Sequence, residues 1–136
     1  MNRSATVYVV DDDEAVREST VGLIGAMGLS VRDYESAEDF LTDFENDGPA
    51  CLILDIRMPG MSGIELFDVL MARQIQLPVI FVTGHSEEVT IPGQSNSATT
   101  WFLEKPFRPQ DLQQRVQWAL ESQSTSGAES SLRNAS

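Results

Sequence analysis

The pattern of apolar and polar positions predicts strands that alternate with helices. Short runs rich in apolar and β-branched residues lie at 6–10, 29–34, 51–54, 78–82 and 100–104. Apolar residues at helical spacing fill the stretch from about Glu14 to Met27 and the stretches that follow Ser36, Ser62 and Pro109. Because strands and helices alternate, the chain is expected to form an α/β fold with a parallel sheet and right-handed crossovers.

The third run, Cys51–Leu54, is apolar at every position, which is typical of a strand buried on both faces. It ends at Asp55, and Pro59-Gly60 then stops any regular element. Asp55 is therefore expected at the carboxyl end of an interior strand, where open α/β sheets bind ligands. On this stretch alone, a simple turn or cap would explain the aspartate equally well.

Two segments depart from the pattern. A helix is expected between the fourth and fifth strands, but Pro92-Gly93 and many Ser, Asn and Thr residues within 87–99 predict at most a short or irregular one. From Ser122 onward polar residues dominate. The sequence thus predicts a folded domain over 1–121 and a disordered tail or linker stub over 122–136.

Composition narrows the class of protein. The chain has 136 residues, 41% of them apolar, and a formal net charge of −12. Such a charge repels phosphates, so direct nucleic-acid binding by this chain is not expected. No stretch has the length of a membrane span or the pattern of a signal peptide, and the one cysteine, Cys51, lies in a predicted buried strand. These features predict a cytoplasmic protein without disulfides.

Four of the predicted strands end in residues that can carry chemistry. These residues are Asp11 and Asp12, then Asp55, Thr83 and Lys105. If the first and third strands are neighbours, their carboxylates converge at one edge of the sheet. Carboxylates in a cluster repel one another, and Mg²⁺, which prefers oxygen ligands, resolves that repulsion.

This grouping favours phosphoryl transfer to an aspartate. Asp55 can attack a phosphoryl donor and form an aspartyl-phosphate. Mg²⁺ and the Lys105 ammonium can neutralise the transferred group, and Thr83 can donate a hydrogen bond to it. His85, the only histidine, is interpreted as a solvated loop residue, and Cys51 as an inert apolar one.

The sequence resembles a response-regulator receiver domain of two-component signalling, of the FixJ-type subgroup. The resemblance covers about residues 5–121 and rests on the motifs Val-Tyr-Val-Val-Asp-Asp-Asp-Glu at 7–14, Leu-Asp-Ile-Arg-Met-Pro-Gly-Met-Ser-Gly at 54–63, Pro-Val-Ile-Phe-Val-Thr-Gly-His at 78–85 and Phe-Leu-Glu-Lys-Pro-Phe at 102–107. It implies a flavodoxin-like, doubly wound (βα)5 fold with strand order 2-1-3-4-5.

The resemblance also implies roles for residues. A sensor histidine kinase would phosphorylate Asp55, with Mg²⁺ held by Asp12, Asp55 and the backbone carbonyl of Arg57, and by Asp11 through water. The domain would then catalyse its own phosphorylation and slow dephosphorylation without being a turnover enzyme.

A second group of roles concerns switching. Thr83 would be the switch hydroxyl, Lys105 the lysine that pairs with the phosphate, and Phe102 the rotating aromatic. Phosphorylation would change the face formed by residues 86–121, which would contact a second copy or an output partner. An exposed Trp101 is a further candidate contact, or simply a cover for the weak helix.

Other interpretations stay open. A Mg²⁺-dependent phosphatase similar to the haloacid dehalogenases usually has a second aspartate where Arg57 stands, and a flavin or nucleotide binder would need a glycine-rich loop where Asp11-Asp12-Asp13 stand. A docking module that works without phosphorylation is the main alternative. FixJ-type regulators usually continue into a DNA-binding domain, so the chain is either a stand-alone receiver or part of a transcription regulator.

Overall fold

A computed structural model describes residues 5–45, 48–84 and 100–135, with side chains described as far as residue 122. The elements, in chain order, are β1 (Thr6–Val10), α1 (Glu14–Ala26), β2 (Ser30–Tyr34), α2 (Ala37–Asp43), β3 (Ala50–Asp55), α3 (Gly63–Ala72), β4 (Val79–Thr83), β5 (Thr100–Glu104) and α4 (Pro109–Ala135). The strands form one parallel sheet in the order β2-β1-β3-β4-β5. The predicted α/β fold and strand order are therefore confirmed.

Local sequence explains where the helices begin. Asp13 caps α1 by accepting a hydrogen bond from the Val16 amide, and Ser36 caps α2 in the same manner. Ser62 and Glu65 form a reciprocal capping box at the start of α3. These caps hold the loops at the carboxyl ends of β1 and β3 close to their strands.

The core consists of two apolar layers, one on each face of the sheet. Alternate residues of a strand enter opposite layers, as Tyr8 and Val10 of β1 do on one face and Val7 and Val9 on the other. Helices α2 and α3 cover the first layer, and α1 and α4 cover the second. β3 contributes to both layers and is buried along its whole length, as its continuous apolar run predicts.

The backbone of α4 is helical as far as Ala135; no proline follows Pro109, and elongating an existing helix costs far less than starting one. The division into a domain over 1–121 and a disordered tail over 122–136 stays a prediction. One expectation needs correction. Trp101 is only half-exposed, because it packs against the layer beneath α4.

The predicted irregular helix between β4 and β5 lies outside the described residues, as does His85. The part of the 86–121 face that precedes Thr100 lies outside them too. Among the described residues, no helix is both long and apolar enough to cross a membrane.

Candidate functional site

Strand register brings the predicted residues to one edge of the sheet. Val10 at the end of β1 pairs with Leu54 of β3, so Asp11 and Asp55 follow side by side. Asp55 in turn pairs with Val82 of β4. Thr83, the last residue of β4, therefore lies next along the same edge.

Three carboxylates meet at this edge. One oxygen from each of Asp11, Asp12 and Asp55 lies within 4.8 Å of the others. Asp11 and Asp55 are each 5% exposed, whereas Asp12 is open to solvent. An oxygen cluster with one solvent-facing member can hold a hard divalent cation that keeps part of its water shell.

Lys105 is the cation that faces these acids. Its Nζ lies 3.4 Å from Oδ2 of Asp11 and 3.7 Å from Oδ2 of Asp55. The Lys105 backbone N–H donates to the carbonyl oxygen of Thr83 at 2.8 Å, which fastens the segment after β5 to the end of β4. One ammonium thus lies between two buried carboxylates.

The surroundings of Asp55 raise its pKa from 3.8 to about 7. Burial is the largest cause, since it disfavours the charged form, and the neighbouring Asp11 carboxylate adds to it. Lys105 and the backbone N–H of Arg57, which donates to Asp55 Oδ1 at 3.4 Å, lower the pKa, and Asp12 raises it further. Burial and the neighbouring carboxylates therefore outweigh the Lys105 ammonium, and the environment disfavours the charged form of Asp55.

Backbone contacts fix the first acidic loop. Oδ1 of Asp11 accepts a hydrogen bond from the Asp13 amide at 2.9 Å. The carbonyl oxygen of Asp11 accepts one from NH1 of Arg17 at 2.7 Å, and Nε of the same guanidinium contacts Asp33 of β2. Sequence reasoning missed Arg17, and the only signal for it is its helical spacing of four residues after Asp13, on the face of α1 that meets β2.

Gly63 is a second residue that sequence reasoning missed. A Cβ at this position would lie 2.3 Å from the carbonyl oxygen of Asp55 and 2.9 Å from Cα of Ile56. The Gly63 N–H donates to the carbonyl oxygen of Ile56 at 2.9 Å, so the start of α3 lies directly against the end of β3. A glycine immediately after the capping residue Ser62 was the available signal.

Of the predicted switch residues, Thr83 lies at this edge of the sheet, whereas Phe102 lies in the middle of β5 and pairs with Phe81. Thr83 is only 1% exposed. Phe102 is half-buried, and its ring lies 5.6 Å from that of Phe81, in the layer covered by α2 and α3. Cys51 is fully buried and burial raises its pKa to about 12, which agrees with an inert apolar role.

Comparison with known proteins finds similarity to response regulators. The family model of the response regulator receiver domain matches residues 7–117. The chain is 37% identical over 119 residues to the response regulator protein TodT of Pseudomonas putida, and the match covers 88% of this chain and 52% of TodT. It is 41% identical over 107 residues to the transcriptional regulatory protein FixJ of Azorhizobium caulinodans, which covers 79% of this chain and 51% of that protein.

Among solved structures, the response regulator StyR superposes with a TM-score of 0.85 at 33% identity, covering 98% of this chain and 67% of StyR. The chain spans about half the length of the curated relatives that it matches.

Proposed function

Because the chain belongs to the response regulator receiver family, we propose that it accepts a phosphoryl group on Asp55 from a sensor histidine kinase. The predicted receiver of the FixJ type is confirmed by the family match and by the relatives. A receiver domain is a signalling phosphoacceptor and not a turnover enzyme. The proposal for Asp55 is carried by one observation: Asp55 lies buried within 4.8 Å of two other carboxylates and 3.7 Å from an ammonium.

The acidic cluster fits Mg²⁺ as the cofactor. Its donors are all hard oxygens, and a divalent cation would relieve the repulsion from Asp11 that adds to burial in raising the pKa of Asp55. We assign Asp12, Asp55 and the backbone carbonyl of Arg57 as ligands, with Asp11 acting through water. When bound, the cation would neutralise the oxygens of the transferred phosphoryl group.

The chain's own residues would perform the transfer. An Asp55 oxygen attacks phosphorus, the Oδ–P bond forms as the N–P bond of the phosphohistidine breaks, and the departing imidazole nitrogen takes up a proton from water. Lys105 already contacts Asp55 and would pair with a phosphoryl oxygen. The Thr83 hydroxyl lies on the neighbouring strand end, where it would donate to another.

An open groove lies at the β3–α3 connection, just after Asp55. The groove has a volume of about 550 Å³ and is lined by residues of the β3–α3 connection, namely Ile56, Arg57, Met58, Pro59 and Ser62. A phosphohistidine bound in this groove would lie beside the connection that follows Asp55.

We propose that the output leaves through the face that includes β5 and α4. Pairing of Lys105 and Thr83 with the phosphoryl group would draw in the connection after β4 and change the packing of Phe102. The partner would be a second copy or an output protein. Because the relatives are about twice as long and FixJ of Azorhizobium caulinodans is a transcriptional regulatory protein, the output would be transcription if a DNA-binding domain belongs to the full protein. The cytoplasmic location stays a prediction.

An intact-mass measurement tests the phosphoacceptor role. The chain is incubated with acetyl phosphate and Mg²⁺, with and without EDTA, beside Asp55→Asn as a matched control. One phosphoryl adduct that requires Mg²⁺ and is missing in Asp55→Asn is expected. Absence of any adduct would favour the docking module that works without phosphorylation, and an adduct that persists in Asp55→Asn would refute the assignment of Asp55.

A further inference from the structure

Arg17 joins three parts of the molecule at the edge of the acidic site. It lies on α1, and its side chain is only 13% exposed. Nε donates to Oδ2 of Asp33 on β2 at 3.0 Å, and NH1 donates to the carbonyl oxygen of Asp11 at 2.7 Å. The backbone N–H of Arg17 also donates to the carbonyl oxygen of Asp13 at 2.9 Å.

The contact with Asp11 fixes a peptide plane inside the site. The carbonyl oxygen of Asp11 belongs to the peptide bond that leads to Asp12, so its direction determines where the Asp12 backbone begins. The Asp11 amide donates to the carbonyl oxygen of Tyr34 at 3.1 Å, so both sides of Asp11 are held by neighbouring elements. Asp12, which is exposed, depends on this peptide for its position.

The planar guanidinium suits this task. It offers donors in a fixed fork, so one side chain can hold a carboxylate and a carbonyl at the same time. An ammonium at the same place would keep the positive charge but would lose the rigid spacing between the two contacts. Asp33 orients the Arg17 guanidinium, and the guanidinium in turn orients the peptide after Asp11.

We propose that Arg17 is a positioning residue for the metal site: by bridging Asp33 and the Asp11 carbonyl, it holds the Asp11-Asp12 peptide in the orientation that lets Asp12 ligate the cation. The inference rests on the proposed Mg²⁺ site. In this role Arg17 acts on the loop that carries two of the carboxylates, through its contact with the Asp11 carbonyl oxygen.

Charge and geometry make opposite predictions for Arg17. As a nearby cation, Arg17 repels Mg²⁺, so its removal would strengthen metal binding if charge alone mattered. As a positioning residue Arg17 favours metal binding, and its removal would weaken metal binding. Groups that orient metal ligands typically change metal affinity about 10- to 100-fold when they are removed.

The test measures Mn²⁺ affinity in the unphosphorylated chain, from the electron paramagnetic resonance signal of free Mn²⁺. Binding by Asp12→Ala is subtracted as the background of the acidic surface. We expect the Kd to rise about tenfold in both Arg17→Lys and Arg17→Gln. The matched control is Arg32→Lys on β2. The exposed guanidinium of Arg32 lies 3.5 Å from Asp43 and outside the acidic site, so the Kd of this variant should equal that of the wild type.

A second variant covers the case in which Arg17 variants fail to fold. Asp33→Asn keeps Arg17 but weakens the contact that orients its guanidinium. The Kd for Mn²⁺ should therefore rise in Asp33→Asn and stay unchanged in Asp43→Asn, which removes the same charge elsewhere. A wild-type Kd in Arg17→Lys, or tighter binding in Arg17→Gln, would overturn the inference. Absence of specific Mn²⁺ binding in the wild type would overturn the proposed metal site and the inference with it, so the two failures are distinguishable.

Discussion

Replacing Gly63 by alanine should damage both the stability and the chemistry of this domain. The new Cβ would lie 2.3 Å from the carbonyl oxygen of Asp55, 2.9 Å from Cα of Ile56 and 3.0 Å from the carbonyl carbon of Asp55. All three are backbone atoms of Asp55, the last residue of β3, or of Ile56 directly after it, so no flexible side chain can move away. The clash must therefore shift α3 or the end of β3.

The net cost combines two terms of opposite sign. Forcing an extra carbon into a well-packed interior typically costs about 1–3 kcal/mol, and backbone neighbours favour the upper end of that range. Alanine in place of glycine in a helix returns up to about 1 kcal/mol. We expect the free energy of unfolding of Gly63→Ala to fall by about 2 kcal/mol.

Urea denaturation followed by circular dichroism measures this change, and α1 supplies matched controls. Gly22 and Gly25 are exposed helical glycines with no atom within 4 Å of an ideal Cβ. Gly22→Ala and Gly25→Ala should each stabilise the chain by about 0.5–1 kcal/mol. If Gly63→Ala were as stable as these controls, the close approach of α3 to β3 would be refuted. In a folded Gly63→Ala, slower phosphorylation by acetyl phosphate should accompany the loss, because the displaced carbonyl belongs to Asp55.

Two further predictions concern the acidic site, and a third concerns the loop before α3. In EDTA, the raised pKa of Asp55 means that the folded state binds its proton more tightly than the unfolded state, so stability should fall as pH rises from about 4 to about 7. Asp55→Asn should remove the contribution of Asp55 to that slope, and at pH 8 its free energy of unfolding should exceed that of the wild type by about 1–2 kcal/mol, once the shift is discounted for solvent screening. An unchanged slope would contradict the shift. Lys105→Met should raise the pKa of Asp55 further, since it removes the ammonium that lowers this pKa. The ¹³C chemical shift of the Asp55 carboxyl group measured against pH reports the pKa. An equal or lower pKa in the variant would contradict the prediction. Glu38→Gln should weaken the contact of its Oε2 with the Met61 amide at 3.2 Å, so hydrogen exchange at Met61 should become faster, while unchanged protection there would show that the contact is unimportant.

Sequence patterns predicted the fold because its determinants are local and repeated. The continuous apolar run before Asp55 requires a strand buried on both faces, and Ser36 and Ser62 are capping residues that fix where helices begin. Parallel strands place their carboxyl ends on one edge, so the meeting of Asp11 with Asp55 follows from topology.

Other features depend on contacts between elements that are distant in the chain. Arg17 meets Asp33, sixteen residues away, only because α1 packs beside β2. The closeness of Gly63 to the Asp55 carbonyl depends on how tightly α3 approaches the sheet. The backbone of α4 is helical to Ala135, beyond the apolar positions at helical spacing that predict this helix, the last of which is Leu120.

The electrostatics of the site explain why such contacts matter. Among the described residues, the carboxylates of Asp11, Asp12 and Asp55 face the ammonium of Lys105, so the acids outnumber this cation. Repulsion of this kind would push flexible side chains apart, and their convergence would be lost before a cation could bind. Here the backbone resists that movement: Asp55 ends a fully buried strand against Gly63, and Asp11 is fastened through its amide, its side chain and its carbonyl. The free energy of packing thus maintains an unfavourable charge arrangement, and the binding of a cation is favoured because it relieves repulsion that the fold has already imposed.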